Sequence, residues 1–471
     1  MLIGRDEERA LLLDALESGH SELIVVHGRR RIGKTFLIRS VYEGQVSFEF
    51  SGMHRGAHRQ QLKNFHMAFP AKARPKAPPA DWIDAFDRLG RYLDKLKGKA
   101  KKVVFIDEFP WLDGHKSGFL AAFTNFWNGY ATKRNDLVVV ICGSAASYMI
   151  KRVINNKGGL HNRLTRRIRL APFNLCETEQ LLRHNKVLFT RYDILQLYMV
   201  LGGVPYYLHM VKRGESVAQA IDRLCFDRQG FLRGEFNNVF ASLFDNAGNH
   251  EAIVRALSLV RKGLTRNAIL KKSKVPSGGT LSNTLMELEE SGFIEHYAPY
   301  DAKKDPLYRI TDEYTQFYLR YIEPSTPSKR GVWSKLSGTP GFKAWAGFSF
   351  ETICMKHVEG IKEGLRIGGV RSVEGSWIGK GDESGAQIDL LIDRDDNVIN
   401  LCEMKFAGGS FTIDRKYANE LMTKAGAFRT ATRTRKSIFI TFITTHGLAH
   451  NAYSRQLVQN ELTMDALFTS V

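Results

Sequence analysis

Eight consecutive residues, Gly28-Arg29-Arg30-Arg31-Ile32-Gly33-Lys34-Thr35, have the spacing of a phosphate cradle. Backbone N–H groups can point inward at an anion only where glycines permit close approach, and Gly28 and Gly33 supply that at the two ends. Arg31, Ile32 and Gly33 would then lend backbone donors, Lys34 would reach the terminal phosphates, and the Thr35 hydroxyl would ligate Mg2+, with Phe36 following in the first helical turn. A second run, Phe105-Ile106-Asp107-Glu108, ends in two carboxylates. Asp107 suits the metal, and Glu108 suits the polarisation of an attacking water. A third run, Leu137 to Gly143, leads to Ser144, which either senses the terminal phosphate or caps a helix. Together these residues describe Mg-ATP binding and hydrolysis.

A second constellation lies near the C-terminus. Ala386 to Ile392 reads as a strand, Asp393-Arg394-Asp395-Asp396-Asn397 as a tight turn, and Val398 to Phe406 as the returning strand. The period of two puts Glu403 and Lys405 on one face, and pairing about the turn brings Asp389 close to them. Hard divalent cations take oxygen ligands, so Asp389, Glu403 and a carbonyl could hold Mg2+ while Lys405 orients or deprotonates water for attack on a phosphodiester. The bland reading is an ordinary charged hairpin. Lys416 and Tyr417, on the helix that follows, either contact DNA or pack at the surface.

These residues need elements to position them. The stretch from Met1 to about Leu170 alternates short β-branched runs (Leu23–His27, Val46–Phe50, Val103–Asp107, Leu137–Cys142 and a weaker Arg167–Leu170) with amphipathic stretches, the pattern of a parallel sheet with helical crossovers. Residues 177 to 231 have helical periodicity and read as a lid. From 251 to 322, three helical runs followed by strands Phe293–Tyr297 and Leu307–Ile310 suggest a winged helix, with Thr265 and Thr280 as N-caps and Lys303-Lys304-Asp305-Pro306 at the wing's tip. Pro324-Ser325-Thr326-Pro327-Ser328 reads as linker. The expected division is therefore multidomain α/β: residues 1–172 a P-loop core, 173–245 the helical lid, 246–323 the winged helix, 324–341 the linker and 342–471 an α/β nuclease-like domain.

At 471 residues, with 43% hydrophobic and 25% charged side chains, the chain can bury several cores. No apolar stretch approaches a membrane span and no signal pattern opens the chain, so a cytoplasmic protein without membrane contact is expected. Five scattered cysteines without a C-x-x-C pair point to core thiols rather than zinc or disulfides. The net charge of +19 favours a polyanionic partner such as DNA, and residues 55–102 (13 basic, 4 acidic) and 151–233 (15 basic, 6 acidic) each carry +9 of it. Residues 251–323 are nearly balanced, with 11 basic and 10 acidic side chains, so a structural, domain-joining role competes with DNA reading there. Lys271, Lys272 and Lys274 remain phosphate candidates.

On these motifs the first 320 or so residues resemble the prokaryotic AAA+/STAND-type ATPases often called the archaeal ATPase family. Leu2-Ile3-Gly4-Arg5-Asp6-Glu7-Glu8 resembles that family's opening, which implies that Ile3 and Arg5 lie against the adenine. Gly202-Gly203-Val204-Pro205-Tyr206-Tyr207 resembles its lid motif and implies Pro205 beside the nucleotide. The resemblance also implies an arginine finger, with Arg163 the nearest match and Arg166 the next. The D-x13-E-x-K spacing resembles the PD-(D/E)xK nuclease superfamily over about residues 342 to 445, without its proline before Asp389, and Glu351 matches the first-helix acid that helps hold metal. What these likenesses imply is an ATPase that gates a Mg2+-dependent DNA nuclease. The competing expectation is a nucleotide-switched DNA-binding or scaffold protein with an inactive nuclease-like fold, acting as a homo-oligomer or with a separately encoded effector.

Overall fold

The computed structural model describes the chain apart from residues 145, 156–157, 161, 245, 261–262, 301–304, 328–330, 380–386 and 470–471. Lys303 and Lys304 of the expected wing tip, Ala386 at the start of the expected hairpin, and Ser328 in the expected linker lie outside the described residues. Two compact units are present: Met1–Ala171 with Asn238–Ala247, and Pro172–Asn237 with Gly248–Val471.

In the first unit, β1 (Glu22–His27), β2 (Val46–Ser51), β3 (Lys102–Asp107), β4 (Leu137–Gly143) and β5 (Arg166–Arg169) form one parallel sheet in the order β2-β3-β4-β1-β5. The three central strands are buried at every position, which is why their sequences are continuous apolar runs rather than alternating ones. Alternate residues still part company: Leu23 and Val25 join an aromatic-rich core with Phe65, Trp82 and Phe123, whereas Ile24 and Val26 join one with Leu37 and Ile38. Because β4 lies between β1 and β3, the loops leaving all three strands emerge side by side at one sheet edge, where ligands of open parallel sheets bind.

The second unit begins with helices Leu175–His184, Arg191–Leu201, Pro205–Leu208 and Val217–Ile221. Then β6 (Leu264–Thr265), helices Arg266–Ser273 and Gly279–Glu290, β7 (Ile294–Tyr297) and β8 (Leu307–Ile310) build a three-stranded sheet ordered β6-β8-β7. Thr265 caps its helix, its Oγ1 accepting from the Ala268 N–H at 3.3 Å. Thr280 does not: Gly278, at φ 80°, is the cap, and Thr280 sits inside the first turn. The expected linker is also more structured than its prolines suggested. Trp333 is an apolar anchor, and a helix, Val332–Ser337, forms on it with Asp222 accepting from the backbone N–H groups of Gly331 (2.9 Å) and Trp333 (2.7 Å). The long helix Pro340–Lys356 then starts under a Thr339 cap.

Beyond it, β9 (Ser372–Ile378), β10 (Gln387–Arg394), β11 (Val398–Lys405), β12 (Ser437–Thr444) and β13 (Val458–Thr463) form a mixed sheet ordered β13-β12-β11-β10-β9. β9, β10 and β11 run antiparallel, and β11, β12 and β13 run parallel. The parallel step from β11 to β12 requires a crossover, which the Arg415–Thr432 helix supplies. All five cysteines are free thiols; Cys142, Cys225, Cys354 and Cys402 are buried and Cys176 is half-buried. Among the described residues no helix is long and apolar enough to cross a membrane.

Candidate functional site

The loop after β1 takes the backbone form a phosphate cradle needs. Gly28 lies at φ 146°, Arg31 at φ 72° and Gly33 at φ 90°, so three of its six residues adopt conformations that L side chains avoid. A Cβ on Gly28 would lie 2.4 Å from the Leu170 carbonyl oxygen, which makes the glycine obligatory. Gly33 caps the Lys34–Val41 helix, whose N-terminal dipole faces the loop. The Ile32 side chain is packed into the core, leaving its backbone N–H as its only contribution to a ligand. Phe36, 54% exposed, is the outlier of the segment.

Lys34 is buried, and its ammonium donates to the carbonyls of Gly28 (3.0 Å) and Arg29 (2.8 Å), folded back into its own loop. Burial lowers its pKa, opposed by the charges of Glu108 and Asp107. The loop thus encloses a cation that anionic phosphate oxygens would complement better than carbonyl dipoles do. Next to it, the Thr35 hydroxyl donates to Asp107 Oδ2 at 2.8 Å, and Asp107 Oδ1 accepts the Glu108 N–H at 2.9 Å. Thr35 and Asp107 thus stand as adjacent oxygen donors, the ligand type that hard divalent cations take.

Glu108 is left-handed at φ 46°, a strained conformation for a residue with a Cβ. Its neighbour explains the direction: a Cβ on Gly52 would come within 2.5 Å of the Glu108 carbonyl oxygen, so that carbonyl is wedged against β2's end. Ser144 Oγ donates to Glu108 Oε2 at 3.1 Å. Burial raises the Glu108 pKa, the nearby Asp107 charge adds to that, and Lys34 opposes it. His27, the last residue of β1, went unnoticed in the sequence because a lone histidine ending an apolar strand carries no pattern. It is buried, accepts from Arg167 Nε at 3.1 Å, and is pushed down to about 3 by burial and by Arg167 and Arg169.

Arg5 is buried at φ 64° and its Nη2 donates to the Ala171 carbonyl at 2.7 Å, pinning the N-terminal segment to the end of the core; Ile3 is half-buried beside it. Arg163 is exposed in a turn ahead of β5. Arg166, the other candidate, pairs with Asp14 (2.7 Å) and Glu22 (3.2 Å) and so links the edge strand to the Asp6–Glu17 helix. In the second unit the Gly202-Gly203 pair is explained by packing: a Cβ on Gly203 would meet the Phe173 carbonyl oxygen at 1.7 Å, and Gly202 turns at φ 60°. Pro205 opens the next helix with its fixed φ.

The hairpin of β10 and β11 forms with Leu390 opposite Cys402, so Asp389 and Glu403 each lie one residue beyond that pair, and β10 shifts register against β9 between Ile388 and Leu391. Lys405 Nζ lies 3.4 Å from Glu403 Oε2. Two partners were not foreseen. Lys424 donates to Glu403 Oε1 at 2.6 Å, and Tyr417, expected at a DNA contact or the surface, instead turns inward and donates its hydroxyl to Glu403 Oε2 at 2.7 Å. The seven-residue spacing of Tyr417 and Lys424, two helical turns, was the signal that both share a face. Glu403 is buried, which alone would raise its pKa, yet Lys424, Lys405 and the Tyr417 hydroxyl together hold it below the ordinary carboxylate value. Gln387 bonds Asp389 Oδ1. Glu351 and Asp389 line one cleft of about 650 Å³ together with Lys424. Among the described residues, however, no three His, Cys, Asp or Glu side chains converge as a ready metal-ligand set, and Glu403 is engaged by Lys424 and Lys405.

Residues 2–211 match the model of a family described as an ATPase domain predominantly from Archaea. The chain is 26% identical over 408 residues to an uncharacterized protein of Methanocaldococcus jannaschii, covering 84% of this chain and 85% of that one. Its fold is similar to the Walker-type ATPase of Pyrococcus abyssi (18% identity, 68% of this chain and 96% of that one, TM-score 0.50). A weaker likeness, with TM-score 0.40 and 15% identity over 68% of this chain and 93% of the other, is to the ORC2 protein of Aeropyrum pernix in its ADPNP–ADP complexes.

Proposed function

We propose, for a chain that carries an archaeal-type P-loop ATPase domain in residues 2–211, that it binds Mg-ATP at the Gly28–Thr35 loop and hydrolyses it with Glu108 as the water-polarising base. The observation that carries this is the pair of contacts Thr35–Asp107 and Ser144–Glu108, which brings the loops after β1, β3 and β4 into one site. Loop N–H groups and Lys34 hold the phosphates, and Thr35 and Asp107 hold the Mg2+, which neutralises charge on the phosphate oxygens. Ser144 keeps the Glu108 carboxylate turned toward the site, and the raised pKa of Glu108 suits it to take a proton from water. Ile3 and Arg5 border the base, and Arg163, exposed ahead of β5, is the candidate finger. ATP turnover tests this directly. Lys34→Ala loses nucleotide binding, whereas Glu108→Gln keeps binding and loses about 10²–10⁴-fold in turnover. Equal turnover in Glu108→Gln and wild type would sink the assignment.

In the same proposal the C-terminal sheet is a PD-(D/E)xK nuclease domain, and the β6-β8-β7 sheet with its helices is a winged helix. Its support is the β10–β11 hairpin, which carries Asp389 on one strand and Glu403 and Lys405 on the other, with Asp389 and Glu351 lining one cleft. Oxygen donors of this kind suit Mg2+, which would supply an activated water and stabilise charge on the phosphodiester. Lys424 must leave Glu403 for that ligand set to form. Mg2+-dependent DNA cleavage that disappears in Asp389→Ala and in Lys405→Ala supports this reading; identical cleavage in all three proteins removes it. The Lys424–Glu403 pair also favours a second reading, in which the ammonium permanently fills the metal's place and the domain binds DNA or a partner without cutting. Mn2+ bound at Asp389 and Glu403 in a soaked crystal would decide between them.

A further inference from the structure

The cleft that holds Glu351 and Asp389 has two walls from different parts of the second unit. One is the C-terminal sheet with the Pro340–Lys356 helix; the other is β7 and β8 with the segment that follows them. A clamp fixes their separation. Just after β7, Pro299 forms a parallel bridge with Ser376 of β9, the Tyr300 N–H donates to the Ser376 carbonyl at 2.7 Å, and the Tyr300 hydroxyl donates to Asp393 Oδ2 at 2.9 Å. Tyr300 also packs into the cluster of Trp377, Leu391 and Phe428. The clamp ties the two walls together, and the cleft's 650 Å³ lies in the range that encloses a drug-sized ligand, about one or two nucleotides.

Its chemistry is graded from rim to floor. Arg320 and Lys343 line it as exposed cations with no ion pair among the described residues. Half-buried Tyr297 offers an aromatic face with the Arg309 guanidinium 4.7 Å from its ring centroid. Two lining side chains that are more than nine-tenths buried, Trp345 and Ser376, carry donors (Nε1 and Oγ) without a hydrogen-bond partner in the structure. The carboxylates Glu351 and Asp389 lie with them. Free cations that track a backbone and aromatic faces on which bases stack are the combination by which proteins hold single-stranded nucleic acid. A duplex hides its bases in the stack and would first have to surrender them.

We propose that this cleft is a binding site for a single nucleic-acid strand, so that the substrate of the C-terminal domain is unpaired DNA or the frayed end of a duplex. The proposal rests on the nuclease reading for what happens to the strand, but not for its binding. Arg320 and Lys343 take the phosphates, Tyr297 stacks a base, and Glu351 and Asp389 face the linkage between them.

The test is fluorescence anisotropy of a labelled 20-nucleotide strand and of the same sequence as a blunt duplex, with the full chain and EDTA present so that no cleavage competes. Single strand is expected to bind at least ten-fold more tightly than duplex. Tyr297→Ala and the double variant Arg320→Glu/Lys343→Glu are each expected to lose ten-fold or more for the strand while binding ATP like wild type. Duplex binding as tight as single strand, or variants that hold the strand as wild type does, overturns the proposal. Asp389→Ala separates the two claims. Strand binding retained with cleavage absent in every protein, wild type included, leaves this proposal standing and removes the nuclease; duplex-selective cleavage does the reverse.

Discussion

His27 and Glu108 show how single residues set the behaviour of the nucleotide site. His27 is neutral in the fold because burial and two arginines push it from the ordinary 6.5 to about 3. Between those values the unfolded chain binds a proton that the folded chain refuses, so stability is full above about 6.5 and is lost as the pH falls toward 3. Urea midpoints measured across that window should fall with decreasing pH in wild type and fall less steeply in His27→Asn. An equal slope would show that His27 protonates without cost. Ser144 and Glu108 were legible as residue types in the sequence, but their contact was not. It depends on β4 inserting between β1 and β3, a non-local choice that no window of sequence contains.

Elements were read more easily than the contacts between them. The three central strands of the first sheet followed from buried apolar runs, and the β10–β11 hairpin from its turn, because both signals are local. Between the proline-rich stretch at residues 324–327 and Pro340, a helix at Val332–Ser337 was not legible, because the Asp222 carboxylate that accepts from its first backbone N–H groups lies more than a hundred residues away in the chain. Lys424 shares a helix face with Tyr417 by its spacing, but that this face meets Glu403 depends on how the crossover helix packs on β11, which is not local. The Gly202-Gly203 motif, read as belonging to a nucleotide-facing lid, has a packing cause of its own. Gly203→Ala would drive a Cβ into the Phe173 carbonyl, at a cost of about 1–3 kcal/mol. A thermal melt with an unchanged midpoint would show that the backbone can yield there.

On the scale of the whole molecule, the helices from Leu175 to Ile221 belong to the unit that holds the C-terminal sheet, whereas Asn238–Ala247 belongs to the unit of the P-loop core. Tyr192 stacks on Phe406, the residue after Lys405, at 5.4 Å and 7° between planes, and Arg191 pairs with Asp465 at 2.8 Å. If nucleotide moves those helices, the strand that carries Glu403 and Lys405 moves with them, and the two sites share one equilibrium. Tyr192→Ala should then weaken the effect of ATP on cleavage and leave ATP turnover intact. The most direct measurement is the rate of Mg2+-dependent cleavage of single-stranded DNA by the full chain, with and without ATP, in wild type and Glu108→Gln. The account predicts that ATP changes the wild-type rate by about five-fold or more and that Glu108→Gln locks it at the ATP-bound value. A rate that is the same with and without ATP in both proteins would contradict it.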